Sequence, residues 1–132
     1  MLADLIREGF REGKDLNCAE SILYGANEAY DLGLSEKCLK TSAGFGGGLG
    51  IEEVCGALTG SIMALGVLFV EEKAHQSDIY DIDEDYLNIF REKMGSIDCS
   101  YLKDNYRTEE KGCDKVILEA AEVLDRIAEK YG

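Results

Sequence analysis

The chain has no proline and a single histidine, and its 14 Lys and Arg are outnumbered by 27 Asp and Glu. Each shortage removes a class of explanation. Without proline, no residue lacks its backbone donor, and helical segments can run without that kind of break. His75 stands alone in a polar stretch and reads as a solvated loop residue, so a hydrolytic triad is not expected. A formal charge of -13, with no Lys/Arg cluster in the sequence to offset it, repels phosphate backbones and anionic lipid. Nucleic acid is therefore not an expected partner. The longest apolar run, Ile62 to Val70, is far below the roughly 20 residues that cross a bilayer, and it reads as a core helix. The first residues are charged and amphipathic, unlike the basic and then apolar pattern of a secretory leader, so the expected location is a reducing cytoplasm. Structural disulfides are rare there, and a cysteine-rich chain is more often metal-binding, redox-active or catalytic.

What the sequence does contain is helical periodicity. Its 132 residues suit one domain over 1–132, with a core that needs no obligatory staple. Apolar residues recur at three and four positions, which predicts an all-α bundle of about five to six helices around a central helix rich in small residues. A first helix uses Leu2, Leu5, Ile6 and Phe10 and is interrupted at Gly13. A second starts at Asn17 with Glu20 as a capping box, which makes Cys18 the first helical residue. A short helix after Ser35 carries Cys38 and Leu39. Glu52 and Glu53, suited to the positive end of a helix, open the apolar segment to about Val70, where Gly56, Ala57, Gly60, Ser61 and Ala64 allow close backbone approach. A polar connection, Glu71 to Asp78, leads to a helix over about Ile79 to Met94. Asp98 can cap a turn beginning at Cys99, Lys103 to Lys111 reads as a loop, and Gly112-Cys113 opens the last helix. Neither an internal repeat nor an interdomain linker is visible.

Five cysteines stand out against this background. Cys18, Cys55, Cys99 and Cys113 fall at or beside predicted helix starts, where unpaired N–H groups and the macrodipole favour a thiolate and lower its pKa. Cys38 is the odd one out. Four thiolates are a common donor set for zinc and for iron–sulfur centres, because S⁻ is a soft, charged ligand. The spacing lacks any Cys-x-x-Cys pair, so buried packing cysteines remain the bland alternative. The run Gly44-Phe45-Gly46-Gly47-Gly48-Leu49-Gly50 matches no nucleotide fingerprint. Its backbone N–H groups can instead approach cysteine sulfurs, which makes Gly46, Gly47, Gly48 and Gly56 candidates for contacting a bound centre. Tyr24, Tyr86 and Tyr101 read as core-edge packing with the hydroxyl reaching water.

Asn17-Cys18-Ala19 before Ile22-Leu23, Phe45-Gly46-Gly47-Gly48 leading to Val54-Cys55-Gly56-Ala57-Leu58-Thr59-Gly60, and then Cys99 and Cys113 resemble the C-GCAxxG-C-C family. Cys55-Gly56 stands in the reverse order of the Gly-Cys in that label. The resemblance implies redox activity, which the family is assigned from its cysteines. Related domains occur fused in split-Soret-type cytochromes, with an iron centre suspected. This chain has no Cys-x-x-Cys-His for covalent haem.

The expectation is an electron-transfer protein holding an iron–sulfur cluster such as [2Fe-2S], or zinc, through Cys18, Cys55, Cys99 and Cys113. A metal-free thiol–disulfide oxidoreductase using the same cysteines, and a structural zinc or adaptor domain, are the competing readings. The partner would be a redox protein or a thiol substrate, with no membrane involved. The small-residue central helix would also suit a homodimer interface.

Overall fold

Asn17 and Glu20 start the second helix as their spacing predicts. The Asn17 side chain accepts the Glu20 N–H at 2.9 Å, and the Glu20 carboxylate accepts the Asn17 N–H at 2.9 Å. In the computed structural model, which describes residues 1–132, the chain forms seven α-helices and no sheet. They are α1 Leu2–Arg7, α2 Cys18–Ala29, α3 Glu36–Leu39, α4 Gly56–Phe69, α5 Ile79–Met94, α6 Cys99–Tyr106 and α7 Asp114–Tyr131, with short 3-10 turns at Lys40–Phe45 and Ala74–Gln76. The count is above the five to six expected because α3 and α6 are short helices.

α4 is the central element and packs against α2, α5 and α7. Its small residues set the approach. A Cβ placed on Gly60 would lie 2.7 Å from the Ala19 carbonyl oxygen of α2, so only glycine allows this spacing. α7 buries Val116, Ile117, Ala120, Ala121, Leu124 and Ile127 at three- and four-residue intervals. Fully burying a Leu or Ile side chain contributes about 1.5–3 kcal/mol, against roughly 0.2–0.5 kcal/mol for a surface pair, so this face holds α7 in place. Further along α7, Asp125 accepts the N–H groups of Leu2 and Ala3 at 2.9 Å each and the Tyr30 hydroxyl at 2.5 Å. One carboxylate thus starts α1 and ties it to α2 and α7.

Four expectations are corrected. α1 ends at Arg7, so Phe10 lies in the turn that follows. Glu52 and Glu53 precede α4, because Leu49, Gly50 and Glu52 take positive φ and the chain there cannot be helical. Lys103 to Tyr106 belong to α6 rather than to a loop. Tyr86 is fully buried, and its hydroxyl lies 2.8 Å from Ser61 Oγ and donates to the Ala120 carbonyl at 3.0 Å instead of reaching water. Tyr24 is half-buried, Tyr101 is exposed, and His75 is exposed in its loop beside Tyr80.

Candidate cysteine site

Four helices begin around one cavity, and each begins with a cysteine. Cys18 and Cys99 are the first residues of α2 and α6, while Cys55 and Cys113 are the N-cap residues of α4 and α7. All four line a cavity of about 310 Å³ together with Asn17, Gly47 and the base of α7 at Val116 and Ile117. Cys55 and Cys99 are buried; Cys18 and Cys113 are half-buried. Cys38 is exposed and faces a separate apolar groove with Leu34 and Tyr80.

Local backbone chemistry brings these positions together. An isolated antiparallel bridge pairs Val54 with Asp98, so the Cys55 N–H donates to the Ile97 carbonyl at 2.9 Å and the Cys99 N–H to that of Glu53 at 2.6 Å. The glycines then allow the segments to close. A Cβ on Gly56 would sit 2.5 Å from Cys18 Sγ and 2.8 Å from the Phe45 carbonyl oxygen, and one on Gly48 would sit 2.7 Å from Cys99 Cβ. Gly46 lies directly against the Asn17 side chain, whose amide donates to the Ala43 carbonyl at 2.9 Å. Of the four glycine candidates, Gly47 lines the cavity, while Gly46, Gly48 and Gly56 make room for the residues around it.

The electrostatics depart from the expected lowering of thiol pKa. Burial pushes Cys55 up to about 12, with the neighbouring Cys18 adding to the rise; the N–H groups of Ala57 and Leu58 oppose it. Cys99 and Cys113 are raised as well, again by burial first, and nearby Lys103 and Arg107 respectively pull them back down. Desolvation outweighs the helix ends, and each thiolate makes the next harder to form.

Three cations also reach the cavity, Arg11, Lys103 and Arg107, and no Asp or Glu lines it. Reading the sequence did not single them out, because they are separated along the chain and only the turn after α1 and the α6 helix bring them together. Arg11 bonds Ser21 Oγ at 2.9 Å and pairs with Asp114, which anchors the start of α7 beside Cys113. No His, Cys, Asp or Glu side chains are gathered three or more together as a ready metal site. The sulfurs surround a space rather than a point.

The family model described as "Putative redox-active protein (C_GCAxxG_C_C)" matches residues 16–127. No curated protein and no solved structure matches the chain. No helix is long and apolar enough to cross a membrane.

Proposed function

The chain belongs to the C_GCAxxG_C_C family, and on that footing we propose that it is an electron-transfer protein whose Cys18, Cys55, Cys99 and Cys113 hold an iron–sulfur cluster, most simply a [2Fe-2S] centre. One observation carries the reading: four separate helix starts deliver four sulfurs to one cavity whose only charged lining residues are cations. A bound cluster would supply one-electron chemistry. Everything else is the work of the chain. Four thiolates around a [2Fe-2S]²⁺ core leave a net negative centre, and Arg11, Lys103, Arg107 and the helix N-termini offset that charge. Burial of Cys55 and Cys99 limits access of water to the centre. The raised thiol pKa values fit ligands that lose their protons to a metal better than free nucleophiles poised at neutral pH.

The test is iron and acid-labile sulfide analysis with an absorbance spectrum on protein purified without oxygen. Stoichiometric iron and sulfide with visible charge-transfer bands are expected. Redox-silent zinc would overturn the reading in favour of a structural site. Metal-free protein that resists reconstitution and reversibly oxidises two thiols would overturn it in favour of thiol–disulfide exchange. The Val54–Asp98 bridge favours that second reading, because it holds the segments that carry Cys55 and Cys99 side by side.

A further inference from the structure

Arg107 is the cation of the cysteine cavity that has no protein partner. Arg11 is committed to Asp114 and Ser21, and Lys103 to Glu52 at 3.7 Å, whereas Arg107 is exposed and makes no ion pair and no side-chain hydrogen bond. A chain with 27 acidic residues could readily have supplied a carboxylate here, yet none lines the cavity. The helices that open onto it add to the positive field. Neither α6 nor α7 has a side-chain hydrogen bond capping its N-terminus; the first N–H of each, on Cys99 and Asp114, goes to the Glu53 and Lys111 carbonyls, and the N–H groups that follow leave a positive end on both helices. The short turn Thr108–Gly112 closes on itself through reciprocal backbone bonds of 3.1 and 2.8 Å and joins Arg107 to Cys113 by a compact link.

We propose that the mouth of this cavity is a binding site for a small anion bearing a carboxylate or oxyanion group, anchored by the Arg107 guanidinium and flanked by Lys103 and Arg11. The inference deepens the reading of the four-cysteine cavity as a redox centre: it names the chemical class of molecule that meets that centre. A guanidinium offers two parallel N–H donors to a carboxylate or phosphate, which gives orientation as well as attraction. Size follows from charge. An acidic protein would approach through the long-range repulsion of a surface carrying -13, whereas a small anion within the mouth meets directly the three cations that line it.

The experiment uses the full chain, its iron and sulfide content measured first and any metal then removed under reducing conditions. Alkylation of Cys113 by neutral iodoacetamide is followed by peptide mass spectrometry while malonate in one arm and inorganic phosphate in another are titrated, with chloride holding ionic strength constant. The expected result is a saturable slowing at Cys113 of at least about fivefold in one arm, no effect at Cys38, and a half-saturation at least about tenfold weaker in Arg107→Gln. The more protective arm identifies carboxylate or oxyanion as the preferred group. The Arg107 Nε–H resonance should follow the same saturation curve, which keeps the test valid if alkylation is slow. No saturation in either readout, equal slowing at Cys38, or an unchanged curve in Arg107→Gln would overturn the inference. Saturable binding in a chain that never carried a cluster leaves the anion site standing and removes the cluster; a loaded chain without the anion effect does the reverse.

Discussion

Cys55 and Cys99 flank the antiparallel Val54–Asp98 bridge, the Cys55 N–H donating to the Ile97 carbonyl at 2.9 Å and the Cys99 N–H to the Glu53 carbonyl at 2.6 Å. The bridge therefore brings both residues to the wall of one cavity, whatever the sulfurs hold. Cys99→Ser should keep its helical circular dichroism and lose stoichiometric iron. Cys38→Ser, altered in a different groove, should keep both. Full iron in Cys99→Ser would refute four-cysteine ligation.

Thiol reactivity in the metal-free chain should follow burial. Cys38 is exposed and should alkylate first, then Cys18 and Cys113, with Cys99 and Cys55 last. For Cys55, held up to about 12, the rate should still climb about tenfold per pH unit through pH 10, because its thiolate remains the minor form throughout. A rate that levels off near pH 8 would show that burial is not what governs it. The same protons must leave when metal binds, so the apparent zinc affinity of this chain should rise by about two decades or more per pH unit between pH 6 and 8.

Two glycines of α4 should respond in opposite directions. Gly56→Ala puts a methyl 2.5 Å from Cys18 Sγ and against the Phe45–Gly46 backbone, and should cost about 1–3 kcal/mol while lowering metal content. At Gly66 an added methyl would meet nothing within 4 Å, and the backbone has ordinary helical φ, so Gly66→Ala should stabilise by up to about 1 kcal/mol with the site untouched. Thermal melts with metal analysis separate the two.

Two carboxylates give opposite pH dependence. Burial raises Asp83 to about 6, and its Oδ1 is buried without a hydrogen-bond partner. Its folded pKa is above the unfolded value, so its stabilising contribution is full below about pH 4 and is lost as pH rises through about 6. Asp83→Asn should therefore raise Tm at pH 7.5, by about 2–5 °C, and flatten the melting profile between pH 4 and 7. Asp125 is held low: burial pushes it up, but bonds from the Tyr30 hydroxyl and the Ala3 and Leu2 N–H groups outweigh that. Its contribution is present above about pH 4 and is lost on acidification. Asp125→Ala should cost about 2–4 kcal/mol at neutral pH, with less difference from the parent as pH falls through 3. Melts across pH 3 to 8 test both signs.

The helices, and the placing of Cys18, Cys55, Cys99 and Cys113 at helix starts, were legible because capping and periodicity are local. Asn17 with Glu20, and Gly95 closing α5 in the left-handed region, need only their neighbours in sequence. What was not legible depended on tertiary burial. Thiol pKa values rose because desolvation exceeds the effect of the helix ends, and no spacing rule reports desolvation. Arg11, Lys103 and Arg107 form no cluster in the sequence, and the end of α1 at Arg7 follows from a chain reversal that the Phe10 periodicity does not reveal. Tyr86 found Ser61 and the Ala120 carbonyl only because α5 crosses both α4 and α7.

Drawing Cys18, Cys55, Cys99 and Cys113 into one site also has a kinetic consequence. Cys113 reaches its place only when the long α7 has docked, and Cys18 only when α2 lies along α4. A ligand gripping all four would close three successive chain loops at once, and closure entropy grows only slowly with loop length. Loading should therefore slow global unfolding far more than it changes any single helix, and the half-life of the loaded chain in denaturant should depend on how tightly the sulfurs are held. The site would act as the clasp of the whole bundle.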